Sequence, residues 1–138
     1  MQSSLEPKLV SLSGPAHSIL GRLRVIEPER SFGFTARRTY WIEGVPDEAI
    51  RGHHAHKALN QAIVLLRGSA TVSLRTPDRD YSLDLSRPDE ALVIPAGFWR
   101  EMSNFSPDAL MMVYASDFYD EADYIRDWDS YVEFYRSR

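Results

Sequence analysis

The feature that most restricts the fold of this chain is a series of short, strand-like segments, separated by turn residues at close and even intervals. In the clearest pair, ATVSL and YSLDL, apolar and polar residues alternate on either side of the turn TPDRD. Because side chains alternate between the faces of a strand, this pattern buries one face and exposes the other. Further strand-like segments are GRLRVIE, ARRTYWI, QAIVLL, ALVIP and ALMMVYA. Such spacing, without long helices in between, predicts an all-β fold, an antiparallel sandwich or barrel.

The C-terminal part of the chain has a different, helical pattern. From Asp120 onward, acidic residues crowd what would be a first turn, where they suit the positive end of the helix dipole. We therefore expect a short C-terminal helix, with an aromatic stripe formed by Tyr124, Trp128, Tyr131 and Tyr135.

Length, charge and composition exclude several classes of function. A chain of 138 residues can bury its own core, and no repeat or linker divides it, so we expect one domain over residues 1–138. A formal net charge of −4, without a Lys/Arg cluster, argues against a nucleic-acid or membrane-surface partner. The absence of cysteine excludes disulfides, thiol nucleophiles and Cys-ligated zinc. The first residues, MQSSLEPKLVSLSGPAH, lack the pattern of a signal peptide, which predicts a cytoplasmic protein.

Two histidines in the segment RGHHAHK are the first candidates for chemistry. In an extended strand, side chains at positions i and i+2 share a face, so His54 and His56 point the same way and Ala55 points to the other side. The pair suits a metal site, an acid/base pair near neutral pH, or a buried structural pair.

From His54 onward the spacing matches the motifs of metal-binding cupins, which are jelly-roll barrels: G-x5-H-x-H-x3,4-E-x6-G followed by P-x-G-x2-H-x3-N. Here Gln61 replaces the carboxylate of the first motif, and Arg100 replaces the histidine of the second. A neutral amide is a poor ligand, and a guanidinium cation repels a metal ion. The sequence therefore predicts a cupin jelly-roll barrel that binds no metal and needs no cofactor.

Cationic side chains near the histidines suggest the type of ligand. Arg38 lies in the preceding strand-like segment, and Arg51 and Lys57 flank the histidine pair. Guanidinium groups bind phosphate through two hydrogen bonds and stay charged at neutral pH. These three residues are therefore candidates for binding a substrate phosphate.

Three longer stretches, RGHHAHKALNQAIVLLRGSATV, IPAGFWREMSNFS and MMVYASDFYDEADYIRDW, together resemble the cupin-fold sugar-nucleotide 3,4-ketoisomerases, over residues 20–131. The resemblance implies a metal-independent isomerase that moves the keto group of dTDP-4-dehydro-6-deoxyglucose from C4 to C3, on the way to 3-amino sugars. It also implies a homodimer in which an N-terminal strand pairs with the partner subunit. The segment PKLVSL is the candidate for that strand.

The resemblance also implies roles for individual residues. His56 is the base that transfers the carbon-bound proton, and His54 shuttles protons between the oxygens or orients the enediol. Tyr40 matches a family tyrosine and donates to the substrate oxyanion. Arg38 and Arg51, helped by Lys57, hold the pyrophosphate. An aromatic side chain, Trp99, packs against the nucleotide or the sugar.

Arg100 departs from the family pattern, because similar proteins commonly carry WHEM where this chain has WREM. Arginine cannot act as a base at neutral pH. We expect it to bind an oxyanion or a phosphate of the substrate, or to face solvent paired with Glu101.

Three other functions fit parts of the pattern. A metal-dependent cupin oxygenase would contain a stoichiometric metal ion. A non-catalytic sugar-nucleotide-binding cupin would bind dTDP and leave the sugar unchanged. A dTDP-sugar 3,5-epimerase would use a similar histidine base, but the keto group would stay at C4.

Overall fold

The computed structural model describes residues 5–12 and 19–138. Within these ranges the chain forms two five-stranded antiparallel sheets, ordered β1-β7-β4-β9-β2 and β10-β3-β8-β5-β6. The strands are β1 (Lys8–Ser11), β2 (Arg38–Glu43), β3 (Arg51–His56), β4 (Gln61–Arg67), β5 (Ala70–Arg75), β6 (Asp80–Leu85), β7 (Glu90–Ile94), β8 (Trp99–Ser103), β9 (Leu110–Ala115) and β10 (Tyr124–Ile125). This architecture confirms the predicted all-β fold and the hairpin of β5 and β6.

The core lies between the two sheets and is built from the alternating residues of each strand. Strand β4 contributes Ile63 and Leu65 to this inner cluster, whereas Ala62 and Val64 face the opposite side. That outer side is covered by the chain that follows α1 (Pro28–Ser31), with Phe32 packed against it. Because both faces of β4 are buried, its sequence is a continuous apolar run instead of an alternating one.

The predicted strand GRLRVIE is wrong. The structure has an isolated bridge residue at Gly21 and irregular backbone from there to Glu27. Leu23 and Val25 remain 59% and 36% exposed, so the alternation that predicted the strand buries neither side chain between the sheets. Alternation indicates a strand only where a neighbouring strand pairs with it.

The predicted start of the C-terminal helix is also wrong. Residues Glu121–Asp123 form a single 3-10 turn, and the chain then enters β10, which pairs with β3. Helix α2 spans Trp128–Arg136, and the side chain of Asp127 caps it by accepting from the backbone nitrogen of Ser130 at 2.9 Å. No helix within the described ranges is long and apolar enough to cross a membrane.

Helix α2 packs on the outer face of β3 and β8 and supports them from behind. Tyr131 is fully buried, and its hydroxyl donates to the carbonyl oxygen of Gly97 at 2.8 Å. Around it lie Ala55 and Ile125 from the strands, together with Trp99. This aromatic cluster fixes the strand that carries the histidines from the side opposite to them.

Candidate active site

The two histidines lie inside one end of the barrel, on the inner face of β3. Their ring centroids are 4.9 Å apart, which confirms that His54 and His56 share a face. Tyr124 of β10 pairs directly with His56, and its ring lies 4.4 Å from that of His56 and 5.0 Å from that of His54. The prediction that Tyr124 belongs to the aromatic stripe of a C-terminal helix is wrong, because it lies in β10 with its ring against the two histidines.

A β-bulge in β3 sets the direction of these side chains. Gly52 and His53 both have positive φ angles, of 97° and 54°, and the register with β8 shifts there. A Cβ atom at Gly52 would lie 2.7 Å from the carbonyl oxygen of Arg100, so this position requires glycine. The bulge leaves His53 exposed, 3.5 Å from Glu101, and sets His54 opposite Arg100.

His56 is held by Asp123, a residue that the sequence did not single out. Its Nδ1 lies 3.0 Å from Oδ2 of Asp123, whose Oδ1 accepts from the backbone nitrogen of Ala58 at 2.8 Å. Because a carboxylate only accepts, Nδ1 of His56 carries the hydrogen and Nε2 keeps its lone pair. That Nε2 is buried without a hydrogen-bond partner in the described chain. His56 is thus oriented as a proton acceptor.

His54 has the same tautomer for a different reason. Its Nδ1 donates to the carbonyl oxygen of Gly52 at 3.0 Å, across the bulge, which leaves Nε2 as the acceptor. Burial, and next the guanidinium of Arg100, lowers the pKa of His54 to about 4. The same two causes, in the same order, lower the pKa of His56. Both imidazoles are therefore neutral at pH 7 and available as bases.

Tyr40, Gln61 and Arg100 form a chain of hydrogen bonds that starts at Arg100, the strand partner of His54 on β8, and crosses to Gln61 and Tyr40 on the other sheet. Arg100 is 0% exposed, and its Nη1 donates to Oε1 of Gln61. Nε2 of Gln61 in turn donates to the hydroxyl of Tyr40 at 3.0 Å. Burial raises the pKa of Tyr40, so the phenol stays protonated at neutral pH.

Arg38 lies beside this chain with unsatisfied donors. Its guanidinium carbon is 5.3 Å from the ring centroid of Tyr40 and 5.6 Å from that of Tyr119. Nε and Nη2 of Arg38 are buried without a partner in the described chain, as is Nε of Arg100. Buried polar atoms without partners are rare in native proteins, so these donors indicate a site for a polar, anionic ligand.

The other candidates for substrate binding lie farther out. Arg51 begins β3 and is exposed, and Lys57 is exposed just beyond its end. Trp99 is 5% exposed on the outer face, where its Nε1 donates to Glu101 at 3.1 Å and its ring meets Trp128. The structure therefore does not place Trp99 beside the histidines. Of the two alternatives for Arg100, the one in which it faces solvent beside Glu101 is wrong, because Arg100 is buried and bonded to Gln61 and to the carbonyl oxygen of Phe98.

The donors at the cupin metal positions do not fit a metal ion. Beside the two histidines they are the amide of Gln61 and the guanidinium of Arg100, and these two bond to each other. A buried permanent cation next to the imidazoles lowers their pKa values and repels any second cation.

Fold and site together define a cupin whose barrel holds neutral imidazoles, a phenol and arginines where relatives of the metal-binding type hold an ion. The family described as FdtA: WxcM-like, C-terminal matches residues 6–136. The chain belongs to this family.

Several proteins similar to this chain are named as sugar 3,4-ketoisomerases. A TDP-4-oxo-6-deoxy-alpha-D-glucose-3,4-oxoisomerase from Aneurinibacillus thermoaerophilus is 40% identical over 114 residues, 83% of this chain and 82% of that protein. QdtA, a sugar 3,4-ketoisomerase from Thermoanaerobacterium thermosaccharolyticum solved with TDP, is 34% identical, with a TM-score of 0.91 over 96% of each chain. A QdtA variant solved with TDP-4-keto-6-deoxyglucose is 33% identical, with a TM-score of 0.92, over 99% of this chain and 98% of that one. These matches confirm the predicted cupin barrel and the family resemblance.

Proposed function

We propose that this protein is a sugar-nucleotide 3,4-ketoisomerase that converts dTDP-4-dehydro-6-deoxyglucose to the 3-dehydro sugar, for the synthesis of 3-amino sugars. One observation carries the proposal: His56 has a buried Nε2 without a partner among the described residues, and it lies near Arg100 and Arg38, whose buried donors likewise lack a partner there. The first group suits proton transfer, and the second suits a phosphate-bearing substrate. The names and bound ligands of the similar proteins support the choice of sugar.

The first chemical step needs a base for the proton on C3. We assign it to Nε2 of His56, because Asp123 holds the other ring nitrogen as a donor and stabilises the imidazolium that forms. As the C3–H bond breaks, its electron pair forms a double bond between C3 and C4. The C4 carbonyl oxygen takes a proton from Tyr40, which gives the enediol.

In the second step the enediol loses the proton of its C3 hydroxyl and gains a proton at C4. The C3 hydroxyl gives its proton to His54, and from there the proton replaces the one that Tyr40 lost. The proton held by His56 goes to C4, and the C3 oxygen becomes the carbonyl. No electron leaves the sugar, so acid and base groups suffice without a metal or another cofactor.

The buried arginine donors near the histidines are assigned to the diphosphate and the sugar. Arg38 can offer Nε and Nη2 to one phosphate, since both are buried and neither has a partner in the part of the chain that the structure describes. Arg100 can offer its remaining Nε to an oxygen of the sugar. The exposed Arg51 and Lys57 are assigned to the outer part of the substrate, where they attract its charge.

An NMR time course with dTDP-4-dehydro-6-deoxyglucose in deuterated buffer tests the proposed reaction. We expect the carbonyl signal to move from C4 to C3, because the bases transfer the proton between these two carbons. Deuterium at C5 with the ketone still at C4 would show a 3,5-epimerase instead. Binding of dTDP without any change in the sugar would show a non-catalytic binding protein.

We also propose a cytoplasmic homodimer, made of one cupin domain per chain, in which the N-terminal strands are exchanged. Among the strands of the described ranges, β1 is an edge strand that pairs only with β7, with Leu9 opposite Leu92 and Val10 opposite Ala91. Apolar side chains near it stay exposed, among them Leu9 at 47%. A partner subunit would cover such surface and could supply the same strand to β7.

A disulfide can report which chain supplies β1, because the protein has no cysteine of its own. In the double variant Val10→Cys and Ala91→Cys the two new thiols face each other across the strand pair. Exchange predicts a dimer band on non-reducing gels that reverts to monomer on reduction. A cross-link within one chain, or a monomeric mass in solution by light scattering, would contradict exchange. The single variants serve as controls.

A further inference from the structure

We propose that Gln61 is a positioning residue, which fixes the direction of the Tyr40 hydroxyl so that its hydrogen points at the bound sugar. The inference rests on the proposed function, in which Tyr40 is the proton donor. Gln61 occupies the position that supplies a carboxylate ligand in metal-binding cupins. In this protein the side chain at that position orients the phenol of Tyr40 instead of binding a metal ion.

The direction follows from what each group can donate or accept. A guanidinium has only donors, so the atom of Gln61 that faces Arg100 must be the amide oxygen, Oε1. The amide nitrogen then faces Tyr40, at 3.0 Å from its hydroxyl oxygen. An amide nitrogen only donates, so the Tyr40 oxygen accepts in this bond. Its own hydrogen is left free for another acceptor.

The surroundings keep the amide from turning over. Gln61 is 1% exposed at the start of β4, between its partner residues Ile94 on β7 and Ala115 on β9. Turning the amide would set its NH2 group against the guanidinium of Arg100 and its oxygen against Tyr40. Two buried donors would then face each other without an acceptor, which is strongly unfavourable. Arg100 is itself held at its other end, since its Nη2 donates to the carbonyl oxygen of Phe98 at 2.9 Å.

The variant Gln61→Glu reverses the bond to Tyr40 with almost no change in shape. A carboxylate accepts from both Arg100 and Tyr40, so the phenol hydrogen turns away from the sugar. We expect kcat to fall by about 100-fold, as when one donor to a developing oxyanion is lost. Affinity for TDP, measured by calorimetry, should change less than about threefold, because the arginine donors stay in place.

A double-mutant cycle separates this role from a general structural one. If Gln61 acts through Tyr40, then Gln61→Glu in a Tyr40→Phe background lowers kcat no further than Tyr40→Phe alone. The inference would be overturned if the fold-decrease in kcat of the double variant equalled the product of those of the two single variants. It would also be overturned if Gln61→Glu kept more than half of the wild-type kcat. Should Gln61→Glu fail to fold, Gln61→Met, which also lacks the donor, must lower kcat; a wild-type rate in that variant would equally overturn it.

A second readout does not depend on turnover. In protein labelled with 13C-tyrosine, the Tyr40 signal is assigned by its loss in Tyr40→Phe, and its alkaline titration is followed by NMR. Gln61→Glu should raise the pKa of Tyr40, because a donor to the phenolate is replaced by a negative charge. An unchanged titration contradicts the role of Gln61. If Gln61→Glu raises the pKa of Tyr40 but the wild-type protein does not move the carbonyl of the sugar, the proposed function alone is refuted.

Discussion

Replacing His56 with alanine is expected to lower kcat by about a thousandfold, within the range that a positioned acid or base contributes. The variant removes the base whose buried Nε2 has no partner and leaves the carboxylate of Asp123 bonded, among the described residues, to the backbone nitrogen of Ala58 alone. The arginine donors are untouched, so the dissociation constant for TDP should stay within a few-fold of wild type. Steady-state kinetics and calorimetry on the same preparations measure both quantities.

Two further variants make this result specific. His53→Asn removes an imidazole that is exposed outside the barrel. Asparagine tolerates the positive φ angle at this position, so the variant should retain near-wild-type kcat. His54→Ala should also lower kcat, through the loss of the second inward base. If His54→Ala abolishes turnover while His56→Ala keeps a tenth or more of it, the roles of the two bases are reversed. Retention of a near-normal rate in both variants would refute imidazole catalysis.

The sequence predicted those parts of the site that depend on the alternation of side chains along a strand. The i, i+2 spacing put His54 and His56 on one face, and the structure brings their rings together inside the barrel. Arg38 and Tyr40, two positions apart in the strand before them, were predicted separately as a phosphate-binding residue and a proton donor, and the structure places the guanidinium of Arg38 over the ring of Tyr40. Pairing between strands preserves such local directions, so they can be inferred before the fold is known.

Contacts between distant segments could not be inferred in this way. Asp123 is 67 residues from His56, and only the return of the chain through β10 brings its carboxylate to the imidazole. The aromatic spacing in this segment fits a helix equally well, so Tyr124 was predicted to be helical when it lies in a strand. Trp99 is the converse case, because helix α2 covers it and turns a candidate binding residue into part of the outer core.

The two lost metal positions show a different limit. The spacing of the motif identified Gln61 and Arg100 as the residues at two metal-ligand positions. Because both are poor ligands, the sequence predicted that the site binds no metal ion. Their mutual hydrogen bond, and the link from Gln61 to Tyr40, depend on the facing strands of two sheets. The structure therefore adds a positive role for residues that the sequence defined only by what they replace.

Lowering the pH from 7.5 to 5.5 is expected to reduce the free energy of unfolding by about 3 kcal/mol through the two inward histidines. In the folded protein the pKa of His54 is lowered to about 4 from an ordinary value of 6.5, and that of His56 is lowered as well. The unfolded chain therefore binds protons first as the pH falls through 6.5, and the folded chain does not. Stability is fully present above that value and is lost progressively below it.

Urea unfolding at pH 7.5, 6.5 and 5.5 measures this loss of stability. In this pH range the contribution of the histidines is separate from that of the carboxylates, which titrate at lower pH. Glu121, whose pKa is lowered by Arg126 to about 2 from 4.5, binds extra protons on unfolding only at lower pH. The matched control is the double variant His54→Asn and His56→Gln, in which neither side chain titrates and the loss between pH 7.5 and 5.5 should disappear. Equal stability of the wild type at both pH values, or the same loss in the double variant, would show that the imidazoles are not held neutral in the barrel. Neutral imidazoles are what proton abstraction from C3 requires, so the measurement tests the chemistry without any substrate.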